Sequence, residues 1–516
     1  LNSIYGPELV NSGGLRIFTT LDSKLQKSSE EAALHHLKFL DKKLVQRDKN
    51  LQAAVVSIDN ESGAVRVMIG GTSYEKSQFN RALSTNRMVG SSFKPVVYMS
   101  AMQNLGYHPG TVLVDEPMIF ELPHNKKWEP ANYNDEYMGP VVLKRALAKS
   151  LNVISAKLIF KVKPAEVVKT ARKFGFTSPI RENFSLALGA TGASPFELAS
   201  AYSTIANLGV HIDPFYVSKI EDYQGNVLYE HFVDGEKRFE PEAVYPLLDM
   251  MQGVMDDGSG RVIRRMGFKH PAAGKTGTTN AFRDAWFAGF TKDLTTSVWV
   301  GYDDNESMYR PNDKGVTGAH AAAPIWGLVM EQALNDSEKV DFPIPREVRF
   351  EYANVSDGYY EPKRSKSNIK VALNKNNVLP MHPTLIASSK TSKRPKVVMF
   401  QRKPAVLPRE VSKPIKVKYD SSNLDSKIWF MLNLENASMG KLKKIPTRWF
   451  VQMLKDTKDA ETRSPGRLER GRKVLIEKLL SRVGSPENEI LEGARINSLL
   501  RPIEIKEFNV QSKIDN

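Results

Sequence analysis

Gly90-Ser91-Ser92-Phe93-Lys94-Pro95 sets a serine three residues ahead of a lysine and follows the lysine with a proline. A serine hydroxyl is a poor nucleophile at neutral pH and needs a base within hydrogen-bond reach. On a helix, positions i and i+3 share a face, with Cβ atoms about 5–6 Å apart, so the Lys94 amine can reach the Ser91 oxygen. Pro95 is tolerated only in a first helical turn, where its missing N–H costs no intrahelical bond. The stretch therefore predicts a helix over 91–104 with Ser91 at its start. Backbone N–H groups and the dipole at that end favour developing negative charge. For Lys94 to act as a base its amine must be neutral, which requires burial or nearby positive charge.

SxxK alone arises by chance in a chain rich in Ser and Lys; its weight comes from two later stretches. Ser150-Leu151-Asn152 closes a run, Leu143-Lys144-Arg145-Ala146-Leu147-Ala148-Lys149, with apolar residues at helical intervals. Lys275-Thr276-Gly277-Thr278-Thr279 lies in a strand-like segment. Singly, Ser150 and Asn152 read as a polar helix face and Lys275 as a solvated charge. Together and in this order they match the SxxK, SDN and KTG signature of class A β-lactamases and penicillin-binding proteins. The chemistry explains each part. Ser150 can pass protons between Lys94 and a leaving amine, and Asn152 can hydrogen-bond a substrate amide. Lys275 supplies positive charge, and the Thr276 and Thr278 hydroxyls can bind a carboxylate. Gly277 is read as leaving room for substrate to lie along the strand as an added β-partner.

Flanking stretches narrow the reading. They are Gly14-Leu15-Arg16-Ile17-Phe18-Thr19-Thr20-Leu21-Asp22, Trp128-Glu129-Pro130-Ala131-Asn132-Tyr133, Tyr137-Met138-Gly139, Asp284-Ala285-Trp286-Phe287-Ala288-Gly289-Phe290 and Val298-Trp299-Val300-Gly301-Tyr302-Asp303-Asp304. With the three motifs they closely resemble the transpeptidase domain of class A, bifunctional penicillin-binding proteins, over about residues 12–332. The resemblance implies cross-linking of peptidoglycan stem peptides by D,D-transpeptidation. Ser91 would be acylated by a D-alanyl-D-alanine terminus, with Lys94 as base and the backbone N–H groups of Ser91 and Thr278 as the oxyanion hole. β-Lactams would acylate the same serine. No metal or organic cofactor is implied, and no His/Asp/Glu grouping has metal-ligand spacing. The implied location is extracytoplasmic, in the periplasm or on the outer face of the cytoplasmic membrane.

The coarse pattern agrees with an α+β fold of the penicillin-binding-protein/β-lactamase type, an antiparallel sheet flanked by helices. Leu51–Asp59 and Ala64–Gly70 read as a hairpin, and 272–279, 285–291 and 295–302 as three more strands. Helices are expected over 91–104, 141–160, 165–174 and 195–208. Gly189-Ala190-Thr191-Gly192 lacks the GxxxxGK[ST] pattern of a phosphate loop and is read as packing near the cleft.

Composition sets the outer bounds. With no cysteine among 516 residues, disulfides, zinc–thiolate sites and cysteine nucleophiles are excluded. No run of about 18 apolar residues and no signal peptide is visible. Relatives of this type usually carry a membrane anchor and a glycosyltransferase domain first; neither is found here, so the expectation is a fragment of a longer membrane-anchored enzyme, without glycan-polymerising activity. The expected domains are a linker and lead-in helix (1–50), the transpeptidase domain (51–335), a Lys/Pro/Ser-rich linker (336–423) and a small helical module (424–516). Residues 1–360 carry a net charge of −2 and 361–516 carry +17, so the basic excess belongs to a C-terminal extension. Attraction of that extension to anionic wall polymers or a membrane surface is the partner expectation, and no nucleic-acid fingerprint is present. Alternatives kept open are a D,D-carboxypeptidase, a β-lactamase with a deacylating glutamate among Glu166, Glu182 and Glu197, and a non-catalytic penicillin-binding sensor.

Overall fold

The apolar strands assemble into one five-stranded antiparallel sheet. The computed structural model describes residues 6–45, 50–122, 126–311, 314–335 and 337–382, all within a unit spanning Leu1–Pro395. Residues 383–516, with most of the basic extension and the helical module expected over 424–516, lie outside the described residues. The sheet order is Ala273–Thr278, Asp284–Phe290, Leu294–Gly301, Gln52–Asp59, Val65–Ile69. The early hairpin thus joins the three late strands through continuous pairing from Leu294 opposite Asp59 to Gly301 opposite Gln52. Strands of this sheet are apolar on both faces because both faces are covered. Ala54, Val56, Ile58, Trp286, Ala288, Phe290 and Trp299 enter one hydrophobic cluster. Their alternating neighbours Ala53, Val55, Ala285, Phe287, Val298 and Val300 enter a second, as the two-residue strand period requires.

Helices close each face. The first cluster takes in the helices Lys94–Leu105, Leu143–Lys149, Asn152–Val162, Pro195–Ala206 and Pro241–Asp256. The second takes in Ser23–Asp41 and Ala322–Leu334. Asp22 starts the Ser23–Asp41 helix by accepting the Lys24 and Leu25 backbone N–H groups at 3.0 Å each, a side-chain cap that satisfies two otherwise orphaned donors. The edge strand Ala273–Thr278 presents its end to the turn that carries Ser91.

Three expectations need correction. The helix expected over 91–104 is a 3-10 turn, Gly90–Phe93, followed by an α-helix from Lys94. Pro95 is the cause: it has no N–H to give the Ser91 carbonyl, so the Lys94 N–H takes that carbonyl one residue early. The helix expected over 141–160 is two helices, broken at Ser150. The linker expected over 336–423 does not begin at 336. Instead Val348–Asn354, Tyr360–Glu361 and Asn368–Asn374 form a three-stranded antiparallel sheet around buried Ala353, Val371, Leu373 and Leu379. Its alternating apolar positions were masked in the sequence by the surrounding Lys, Ser and Asn.

This small sheet docks through a buried ion pair. Lys144 donates to Asp249 Oδ1 at 2.6 Å and to the Lys370 carbonyl at 2.8 Å, while Asp249 Oδ2 accepts the Ala372 N–H at 3.0 Å. Both side chains are buried. Removing one partner of such a pair leaves an uncompensated buried charge. Asp249→Ala is accordingly expected to lower the stability of the domain by about 3–5 kcal/mol, read as a reduced denaturant midpoint. A midpoint equal to wild type would contradict the docking role.

Candidate active site

Ser150 adopts a left-handed backbone, φ 60° and ψ 39°, at the end of Leu143–Lys149. Its N–H reaches the Leu147 carbonyl at 3.0 Å, and the Leu151 N–H reaches Ala146 at 3.0 Å. This is the paired Schellman closure, usually built with glycine. A non-glycine residue there costs on the order of 1–3 kcal/mol, a strain that collects at functional sites. The twist aims both oxygens of Ser150 at two lysines. Lys94 donates to the Ser150 carbonyl at 2.6 Å, to Asn152 Oδ1 at 2.8 Å and to Ser150 Oγ at 3.3 Å. Lys275 donates to the same Oγ at 2.9 Å and to the Thr276 carbonyl at 3.0 Å. The sequence-derived residues Lys94, Ser150, Asn152 and Lys275 are therefore one hydrogen-bonded group.

Ser91 sits on the adjoining turn and is partly exposed. Among the described residues, no hydrogen bond joins its Oγ to the Lys94 amine, contrary to the contact inferred from the i, i+3 spacing. The 3-10 turn changes the angle between these two positions, and Lys94 turns toward the Ser150 end of the site.

Both lysines are fully buried, at 0 % relative exposure. Burial, then the positive Lys275, holds the Lys94 amine well below its ordinary value, while the negative Asp115 opposes the shift. Burial alone pulls Lys275 down to about 7. Neutral Lys94 has two N–H bonds and one lone pair. The Ser150 carbonyl and Asn152 Oδ1 can only accept from it, so they take both hydrogens and leave the lone pair as its one proton-accepting position.

The edge strand contributes Lys275, Thr276, Gly277 and Thr278. Thr276 Oγ1 is 2.6 Å from Ser259 Oγ, with either hydroxyl able to donate, and Thr278 Oγ1 accepts the Gly318 N–H at 3.0 Å, which leaves the Thr278 side chain a hydroxyl hydrogen to direct. Gly277 serves a purpose other than the expected one. A Cβ there would fall 2.5 Å from the Val89 carbonyl oxygen and 2.8 Å from Trp286 Cβ. The glycine thus lets the strand pack directly on the Ser91 turn and does not leave space for substrate. Gly90 (φ +54°) answers it, with its own Cβ direction 2.5 Å from the Thr278 oxygen. Gly189 backs the same turn, since the Gly90 N–H reaches its carbonyl at 3.1 Å. A cleft of about 740 Å³ opens beside Gly90, Thr278 and Trp128.

Three participants had no role in the sequence reading. Ser259, between Gly258 and Gly260, holds Thr276. Asn132 lies within the Trp128–Tyr133 stretch, and fully buried Asp115 binds Asn132. Only Asn132 fell in a stretch already singled out. Of the glutamates considered for deacylation, Glu166 pairs with Lys169 at 2.7 Å. Glu197 is bound by the backbone and side chains of Thr177 and Ser178.

Comparison with known proteins converges on this geometry. Residues 53–331 match the family model of the penicillin binding protein transpeptidase domain. The chain is 36% identical to penicillin-binding protein 1A of Aquifex aeolicus over 299 residues, covering 58% of this chain and 40% of that protein. It is 32% identical to penicillin-binding protein 2D of Bacillus subtilis over 361 residues, covering 68% and 50%. The chain thus spans about half or less of the length of these curated relatives. Among solved structures, PonA1 of Mycobacterium tuberculosis in complex with penicillin V aligns with a TM-score of 0.58 at 27% identity, covering 69% of this chain and 94% of that one. Penicillin-binding protein 1A of Haemophilus influenzae shares the fold, with a TM-score of 0.65 at 23% identity, covering 72% and 73%. With more than half its length inside the family model and the three motifs assembled around one serine hydroxyl, the chain belongs to the penicillin-binding protein transpeptidase family.

Proposed function

We propose that the protein is a serine D,D-transpeptidase that cross-links peptidoglycan stem peptides outside the cytoplasm and is acylated by β-lactams. The observation that carries this reading is the single Ser150 hydroxyl bridging two fully buried lysines. In the acylation step Ser91 Oγ attacks the carbonyl carbon of the D-alanyl-D-alanine bond, and its proton passes to the Lys94 lone pair. The backbone N–H groups of Ser91 and Thr278 take up the oxyanion charge. The contact between the Gly90 turn and the Thr278 backbone supports that pairing. Collapse of the tetrahedral intermediate breaks the C–N bond. The proton relayed through Ser150 goes to the departing D-alanine amine, leaving an ester on Ser91. An acceptor amine then attacks the ester, gives up its proton along the same path and restores the hydroxyl.

Substrate recognition in this reading is divided between the two motifs that flank the serine. Lys275 in its protonated form, with the Thr276 and Thr278 hydroxyls, receives the terminal carboxylate. Charge-assisted bonds of this kind are roughly twice as strong as neutral ones. Asn152 addresses the peptide amide. Hydrolytic alternatives need a base over the ester; the bonding of Glu166 and Glu197 to other groups favours slow deacylation and hence transfer.

Two measurements test the reading. Incubation with a fluorescent penicillin is expected to label the protein stoichiometrically, with an adduct that persists for many turnovers of a β-lactamase. Ser91→Ala is expected to take no label at an unchanged melting temperature. Labelling of Ser91→Ala at the wild-type rate would sink the assignment, and rapid release of hydrolysed penicillin would identify a β-lactamase instead. The second concerns pH. The acylation rate constant should rise with pH as Lys94 loses its proton, on a limb displaced well below the ordinary lysine range by burial and by the positive Lys275. It should then fall as Lys275 loses its proton through about 7. Lys275→Arg, whose guanidinium stays charged, is expected to flatten the descending limb while lowering the maximum. A wild-type rate still rising at pH 9 would exclude a charged Lys275 as the carboxylate anchor.

A further inference from the structure

Asp115 is a carboxylate at 0 % exposure beneath the site, at the end of the strand Val112–Asp115. Its two oxygens accept both from Asn132 Nδ2, at 3.0 Å each, and Oδ2 also accepts the Met138 N–H at 2.9 Å. The same Nδ2 also donates to the Glu136 carbonyl at 2.9 Å; a carboxylate and a carbonyl only accept, so the atom of Asn132 that faces them must be the NH2 group. The amide oxygen of Asn132 then has one direction left. It accepts the Asn152 N–H at 2.8 Å and the Val153 N–H at 3.4 Å.

Those two N–H groups are the first of the helix Asn152–Val162, whose own preceding residue, Leu151, offers no side-chain cap. Asn132, twenty residues away in sequence, supplies the cap from outside the helix. Polar caps are worth about 1 kcal/mol to a helix, but here the capped residue is itself a site residue. The Asn152 side chain is fixed in turn. Its Nδ2 donates to the Ala131 carbonyl at 2.8 Å, next to Asn132, which leaves Oδ1 for Lys94.

We infer that Asp115 and Asn132 are positioning residues of the acylation step: the buried carboxylate sets the orientation of the Asn132 amide, which holds Asn152 so that its Oδ1 takes one Lys94 hydrogen and aims the Lys94 lone pair. The inference rests on the proposed serine acylation. The chain of contacts is directional at every link. Acceptor-only Asp115 orders Asn132, Asn132 orders the Asn152 backbone, the Ala131 carbonyl orders the Asn152 amide, and Asn152 orders Lys94. The negative charge of Asp115 also supports the protonated state of Lys94 once the amine has taken the serine proton.

The test uses the full 516-residue chain and the second-order rate of labelling by a fluorescent penicillin, normalised to the titratable fraction. Asp115→Asn and Asn132→Asp each leave two like groups facing one another, two amides or two carboxylates. Each is expected to slow acylation about 10- to 100-fold, the scale of a misplacement of about 1 Å. The double variant Asp115→Asn/Asn132→Asp restores one donor and one acceptor between the two side chains with the polarity reversed and keeps an oxygen on the Asn152 N–H, while, like the Asn132→Asp single variant, it gives up the bond to the Glu136 carbonyl. It is expected to recover at least tenfold over the slower single variant. A purely structural loss would lower the titratable fraction and leave the normalised rate unchanged. Single variants within twofold of wild type, or a double variant no faster than the singles, would overturn the inference. The milder Asn132→Ser carries the same test if an isosteric variant does not fold. It keeps a short hydroxyl acceptor and is expected to lose about tenfold in rate, and a wild-type rate would overturn the inference. Absence of label on the wild-type chain would instead remove the acylation reading itself, so the two failures are distinguishable.

Discussion

Two lysine amines buried around one serine hydroxyl are the constraint on which the rest of the site depends. Placing a single ammonium in a dry interior is costly, and two within reach of one oxygen repel each other as well. The fold meets this by not keeping both charged. Lys94, held well below its ordinary value by burial and by the positive Lys275, is surrounded by a carbonyl, an amide oxygen and a hydroxyl, which suit a neutral amine as donor. Lys275 keeps a share of its charge near neutrality and stands on the edge strand, where an incoming carboxylate would offset it. In the proposed reaction, burial divides two chemically identical side chains into a base and an anchor. Ser150 makes the division possible, since only its left-handed backbone brings both its carbonyl and its hydroxyl into the same space.

Close approach is the second requirement, and glycine meets it. The serine turn and the edge strand belong to different halves of the chain, separated by nearly two hundred residues. They touch at Gly90 and Gly277, and Gly189 packs on the turn beside Gly90; a β-carbon at any of the three would collide with backbone of its neighbour. The sheet behind them is anchored on both faces by apolar clusters containing Trp286 and Trp299 on one side and Phe287 and Trp326 on the other. Interiors packed at this density transmit small displacements without absorbing them. The relative position of turn and strand is therefore as well determined as the core itself.

Much of this was legible in the sequence, for identifiable reasons. The strands at 52–59, 65–69, 284–290 and 294–301 announced themselves because doubly covered strands read as largely apolar runs, and 273–278 through the motif it carries. The motif lysines, Ser150 and Asn152 were legible because their chemistry requires those residue types together. What escaped depended on backbone geometry. Leu143–Val162 has helical periodicity on both sides of Ser150, and nothing in the residue types marks a break where a serine stands in place of glycine. The sheet formed by 348–374 escaped for another reason: its apolar positions alternate with Lys, Asn and Glu, a pattern that resembles a charged linker until a partner face is known. Gly277 was correctly singled out, but the side of the strand that needed the space could not be told from one chain's order.

The same distinction explains why Asp115 and Asn132 carry weight beyond their number of contacts. A motif residue can be exchanged for another only if the chemistry survives, whereas a residue that orients it is constrained by hydrogen-bond polarity alone. Asn152 has an amide that could face either way, and a flipped amide would present NH2 groups to Lys94 in place of an acceptor. Neutral Lys94 would then have to turn its lone pair toward that NH2 group, and it would no longer be able to take a proton from Ser91. The Ala131 carbonyl, which only accepts, fixes the Asn152 amide, and ionised Asp115 removes the same ambiguity from the Asn132 amide that holds the Asn152 backbone. Placing Asp115 at zero exposure removes competition from water. In the proposed arrangement the Lys94 lone pair is oriented through two intervening residues, Asn132 and Asn152, from a carboxylate that bonds to neither the serine nor the lysine.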